Sequence, residues 1–145
     1  MFRLSPKRSR HPQSGAQFDS PSLGLFTYNG EVDLWEATIH VARDKVILGL
    51  AGDATAPAPE LLRRATQIIE DYADLSSKVD ALLAVEAPKF RHDRDAVLNL
   101  RIEQIDLHNP AAPNRGMIYF ANANDDRAWR CDYEDGNPRH LGYDD

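Results

Sequence analysis

Cys131 is the single thiol in the chain. A lone cysteine becomes a nucleophile when an imidazole close by takes its proton, and His40 or His108 would have to be that base. Its setting argues otherwise. Cys131 alternates in phase with Trp129 and Tyr133 on one side of a strand-like stretch, the pattern of a buried structural thiol. A single cysteine also excludes an internal disulfide and suits a reducing compartment. Carboxylates are abundant, and two of them could do general acid–base work, but no spacing singles out a pair. Asn122, Asn124 and Asp126 have the one-three-five spacing of a calcium loop. Arg127 stands where that loop needs glycine, and no glutamate occupies its twelfth position. The histidines His11, His40, His92, His108 and His140 include no i,i+4 pair for a helix, so the usual zinc spacings are missing. The glycines are scattered and none opens the helical stretch, which removes a phosphate loop or a dinucleotide fingerprint. The expectation is a chain that is not an enzyme and holds neither cofactor nor metal.

The most unusual local feature is acidic. From residue 125 onward come Asp125, Asp126, Asp132, Glu134, Asp135, Asp144 and Asp145, against Arg127, Arg130 and Arg139. Acidic groups beside aromatics such as Trp129 or Tyr143 suit a basic protein partner. Asp125, Asp126, Asp132, Glu134 and Asp135 are therefore the expected partner-binding residues. The plainer reading is two turns on a solvated hairpin. Trp129 and Trp35 read more readily as core than as contact residues.

Charge sharpens this picture once the chain is divided. Residues 1–17 hold Arg3, Lys7, Arg8 and Arg10 and no acid. The remainder carries 13 basic against 23 acidic groups, a net of −10 within a whole-chain −6. Such a body repels nucleic acid and anionic membrane and speeds encounter with a basic partner. Residues 1–17 read as a disordered basic arm and 18–145 as one domain. Pro6, Pro12 and polar residues fill the place where a signal peptide needs its apolar run. No apolar segment approaches membrane-spanning length, so a cytoplasmic location is expected.

The elements that must position these groups follow from periodicity. Leu23–Tyr28 reads as a first strand closed by Asn29-Gly30. Trp35, Ala37, Ile39 and Val41 alternate with Glu36, Thr38 and His40 in a second, and Val46, Leu48 and Leu50 line a third. Leu61, Ala65, Ile68, Tyr72, Leu75, Val79 and Leu83 recur at helical spacing, with Pro59 in the first turn and Ser76-Ser77 as a place for a kink or break. Val97–Leu107 reads as a long strand whose parity changes near Glu103-Gln104, the mark of a β-bulge. Gly116–Asn122, Ala128–Glu134 and a short stretch at Leu141 and Tyr143 complete the pattern. The expected fold is α+β: a mainly antiparallel sheet in β-β-β-α-β-β-β order with one long amphipathic helix packed on one face.

Two segments carry a resemblance. Phe18-Asp19-Ser20-Pro21-Ser22-Leu23-Gly24, followed by a strand and Trp35, and the closing Trp129-Arg130-Cys131-Asp132-Tyr133-Glu134-Asp135-Gly136 with Leu141-Gly142, resemble small bacterial α+β domains of unknown function. Such domains are often encoded near polymorphic or secreted toxins. The resemblance spans residues 18–145 and implies an immunity-type protein that occludes a cognate bacterial toxin without chemistry of its own. It brings no catalytic residues. If the toxin is a nuclease, its basic substrate groove suits the acidic body. Two other readings stay open, a non-catalytic interaction or scaffold module that forms a homo-oligomer, and an enzyme whose site the sequence does not show.

Overall fold

Strands with an apolar and a polar side build most of the molecule. The computed structural model describes residues 14–122 and 126–144. One eight-stranded sheet runs in chain order through β1 (Gln17–Ser20), β2 (Gly24–Asn29), β3 (Leu34–Val41), β4 (Asp44–Leu50), β5 (Arg101–Leu107), β6 (Arg115–Ala121), β7 (Ala128–Glu134) and β8 (Asn137–Asp144). Every neighbouring pair is antiparallel except β4 and β5, which are parallel. A parallel pair needs a long crossover. Here it consists of α1 (Pro59–Glu70), α2 (Tyr72–Glu86), a 3-10 turn at Ala87–Lys89 and α3 (Arg94–Leu98).

This architecture corrects the expected β-β-β-α-β-β-β order with one long helix. An additional strand, β1, precedes the meander. It is only four residues long, and Gly24 at φ 93° carries the chain back from it into β2. The long helix is two helices, broken at Asp71 rather than at Ser76-Ser77. Asp71 adopts φ −103° and ψ 25°, and its N–H bonds back to the Gln67 and Ile69 carbonyls. The apolar stripe keeps its three- and four-residue spacing across the break, so periodicity carries no trace of it. Val97 and Leu98 belong to α3, not to a strand. The change of parity in β5 is real, with a register shift between Ile102 and Gln104. The last strand is eight residues long. Asp135 and Gly136, at φ 53° and 86°, form the two-residue turn into it. His140 at φ 58° and a register shift between Arg130 and Asp132 interrupt the alternation in this hairpin.

The helices cover one face of the sheet. Trp35, Leu48, Ile105, Ile118, Trp129 and Cys131 point to that face and share one core with Leu61, Ala65, Ile68, Tyr72, Leu75, Val79 and Leu83 of α1 and α2. Each fully buried side chain of this size contributes about 1.5–3 kcal/mol. Edge-on aromatic contacts tighten both ends of this layer, Tyr28 on Trp35 at 5.6 Å and Phe90 on Trp129 at 5.2 Å. No helix among the described residues is long and apolar enough to cross a membrane.

Candidate functional site

No described element covers the opposite face of the sheet. Strand register decides what it displays. Thr27, Glu36, Gly49, Asp106, Met117, Asp132 and Arg139 are successive cross-strand partners, one from each strand from β2 to β8. This transverse row places carboxylates on β3, β5 and β7, two strands apart. Neighbouring strands lie about 4.8 Å apart, so successive carboxylates are roughly 10 Å apart at the backbone. Thr38, Ile47, Gln104, Tyr119, Arg130 and Gly142 form the next row. A groove of about 1010 Å³ runs along the β5–β7 half, lined by Gln104, Asp106, Tyr119 and Asp126 among others. A second hollow of about 700 Å³ on the β2–β4 half is lined by Leu25, Thr27, Glu36, Thr38 and Ile47.

Asp106 is the centre of this face. It is only 5% exposed. The Gln104 Nε2 amide donates to Asp106 Oδ1 at 2.7 Å and to Glu36 Oε2 at 3.3 Å, and Asn29 Nδ2 donates to Glu36 Oε1 at 3.1 Å. Two carboxylates are thus held together by neutral amides. Burial pushes the Asp106 pKa above the ordinary carboxylate range and the charge on Glu36 adds to the rise, while the Gln104 hydrogen bond and His108 oppose it. Burial, and then Asp106, raise the Tyr119 hydroxyl as well. Gly49 makes the arrangement feasible, because a Cβ there would lie 2.2 Å from Asp106 Oδ1.

The five expected partner-binding residues do not gather in one place. Asp125 lies outside the described residues. Asp126 borders the groove just before β7. Asp132 and Glu134 sit on the uncovered side of β7. Asp132 joins the transverse row, whereas Glu134 is paired with Arg115 at 3.1 Å and Arg139 at 3.2 Å. Asp135 lies at the other end of β7, in the turn to β8. Asp144 is held by the Arg130 guanidinium, which lowers its pKa. Most of the basic arm, residues 1–13, lies outside the described residues, as does Asn124 of the calcium-like spacing.

Cys131 and its two candidate histidines do not meet. Cys131 faces the helices and is fully buried, and its pKa is pushed up to about 12 by burial. His40 is exposed on the uncovered side of β3. No group of three or more His, Cys, Asp or Glu side chains that could hold a metal occurs among the described residues. Trp129 and Trp35 are core residues, at 0% and 1% exposure. Glu36, Gln104 and Asp106 were not singled out by the sequence. One signal for them exists, a glycine inside the apolar run Val46–Leu50, since glycine within a strand marks a close approach. The partner in that approach could not be read, because β4 and β5 are joined by a crossover of about fifty residues. No family model, curated protein or solved structure matches the chain.

Proposed function

We propose that this chain is a protein-binding module that uses the uncovered face of its sheet to occlude a basic partner. In its specific form it is an immunity-type inhibitor of a cognate bacterial toxin, acting in the cytoplasm without chemistry of its own. The observation that carries this reading is the row Glu36, Asp106 and Asp132, with apolar Ile47, Met117 and Tyr119 beside it, on a face that no described element covers. Such a surface combines charge that selects a partner with apolar area that holds it. The net charge of −10 outside residues 1–17 strengthens the attraction at long range. The resemblance of the two end segments to immunity-type domains supports the choice of partner class.

The test is capture of a stoichiometric partner by the tagged chain from native cells and from cells expressing neighbouring genes. A basic partner that is toxic alone and harmless on co-expression is the expected result. Capture of no partner with the neighbours present would contradict the reading.

One observation favours an enzyme as the second reading. Glu36 and Asp106 share an amide beside Tyr119, and their different environments suit an acid and a base. A turnover found by substrate screening and abolished by Asp106→Asn in a folded protein would favour it over occlusion.

A further inference from the structure

The described part of the chain starts at the mouth of the hollow on the β2–β4 half of the uncovered face. Ser14 lines that hollow, and the Gly30 N–H donates to Ser14 Oγ at 3.0 Å. The Gly15 N–H donates to the Tyr28 carbonyl at 3.1 Å, and the Tyr28 N–H to the Ala16 carbonyl at 2.8 Å. These three bonds fasten the entering chain to the end of β2. Gly15 has φ 91°, yet a Cβ there would meet nothing within 4 Å. The glycine thus serves backbone conformation rather than space. The turn it makes sets Ser14 at the hollow instead of on the line of the edge strand β1. The hollow measures about 700 Å³, and the charged residues lining it, Glu31 and Glu36, are both acids. Neither is ion-paired with a described residue, and the Glu36 donors are the Asn29 and Gln104 amides. Leu25, 52% exposed, gives the same hollow an apolar wall.

We infer that residues 1–13 dock in this hollow, as an internal occupant that a basic partner has to displace. The docking stands without the partner-binding reading above, and the displacement rests on it. Residues 1–13 carry Arg3, Lys7, Arg8 and Arg10 and no acid, with Met1, Phe2 and Leu4 as apolar groups. Charge therefore matches Glu31 and Glu36, and apolar side chains match Leu25 and Ile47. Length is ample. Thirteen residues extend to at most about 45 Å, whereas β2 and β4 lie roughly 10 Å apart. Exposed ion pairs are individually weak. A segment tethered at the rim nevertheless meets its site at an effective concentration in the millimolar range. That advantage favours the chain's own segment over the same segment of a second copy.

The test is paramagnetic broadening in the full-length, 15N-labelled chain with a nitroxide on Ser5→Cys, Cys131 being buried. The expected result is that the Leu25, Thr27, Glu36 and Thr38 amide peaks lose most of their height while those of α1 and α2 keep theirs. Salt at about 1 M, where the Debye length is about 3 Å, should restore the peaks. So should the combined variant Arg3→Gln, Lys7→Gln, Arg8→Gln and Arg10→Gln, shown folded by its amide spectrum. Broadening that is absent from the hollow, centred on the helices, or unchanged in the combined variant would overturn the docking. A mixture of unlabelled spin-labelled chain with 15N-labelled chain lacking the nitroxide separates the occupants. Broadening of the same peaks in that mixture would overturn the inference, because a second copy would then fill the hollow. The docking and the partner-binding reading fail separately. The basic protein captured in the experiment above should restore the peaks when added to the spin-labelled chain. Broadening that persists with that protein bound defeats the displacement. Broadening of the hollow in a chain that captures no partner defeats the partner-binding reading alone.

Discussion

The covered and uncovered faces of the sheet use alternate residues of the same strands, and they treat charge in opposite ways. On β3, Trp35, Ala37 and Ile39 are buried under the helices, while Glu36, Thr38 and His40 face outward. On β5, Ile105 and Leu107 lie in the core, and Asp106 between them is almost as buried on the side that no described element covers. The covered face is apolar, and its cysteine stays protonated at neutral pH. The uncovered face brings Glu36 and Asp106 together, and among the described residues their side-chain donors are amides. The contrast teaches that the uncovered face buries a carboxylate at a place where an isosteric amide or an apolar side chain would cost less stability.

Substitutions can break this comparison, and the largest effect belongs to the covered face. Trp129→Ala should lose about 3–5 kcal/mol, measured by chemical denaturation, because it empties a fully buried site packed on Phe90 and Tyr143. Trp129→Phe should cost much less. The buried indole N–H has no acceptor among the described residues, so no hydrogen bond to them is lost. Gly49→Ala comes next and touches both faces. Its Cβ would meet Asp106 Oδ1 at 2.2 Å and Leu34 Cδ1 at 3.0 Å. The expected cost is about 1–3 kcal/mol, measured by chemical denaturation.

Asp106→Asn should act in the opposite direction. The folded-state pKa of Asp106 is raised, so the folded protein holds the proton more tightly than the unfolded chain does. That contribution is fully present below the unfolded value of about 3.9 and is lost as pH rises through the raised folded value. Melting curves should show the parent losing stability across that window relative to Asp106→Asn. At pH 7 the variant should melt higher than the parent, and the difference should vanish at low pH. A variant that melts lower at every pH would show that Asp106 is structural. The smallest effect on stability belongs to Asp132→Asn, within about 0.5 kcal/mol, since Asp132 is only half-buried on the uncovered side. Its expected effect is a weaker on-rate for a basic partner, lost at high salt.

The two faces were not equally legible in the sequence. Period-two alternation exposed the covered side of β3, β4 and β7 directly, and the helical stripe exposed the helices that cover it. It could not show the break at Asp71, because Ile68, Tyr72 and Leu75 keep their spacing through it. Nor could it identify β8, where His140 at positive φ disrupts the pattern. The uncovered face depends on register, and register across the β4–β5 crossover is set by packing of the whole chain. Asp132 stands out in the sequence because the C-terminal segment is locally acidic. Glu36 and Asp106 were missed because they lie seventy residues apart in sequence and meet only across Gly49.

The central claim is that a partner binds the uncovered face and not the helical one. Cys131, buried and protonated, leaves the protein open to selective labelling of an introduced thiol. Thr38→Cys on the uncovered side of β3 and Ser77→Cys on the outer side of α2, both exposed, should each be alkylated with a bulky maleimide and assayed for capture of the basic partner. The account predicts that the label at Thr38 abolishes capture and the label at Ser77 leaves it intact. Capture that survives at Thr38 and fails at Ser77 would contradict it.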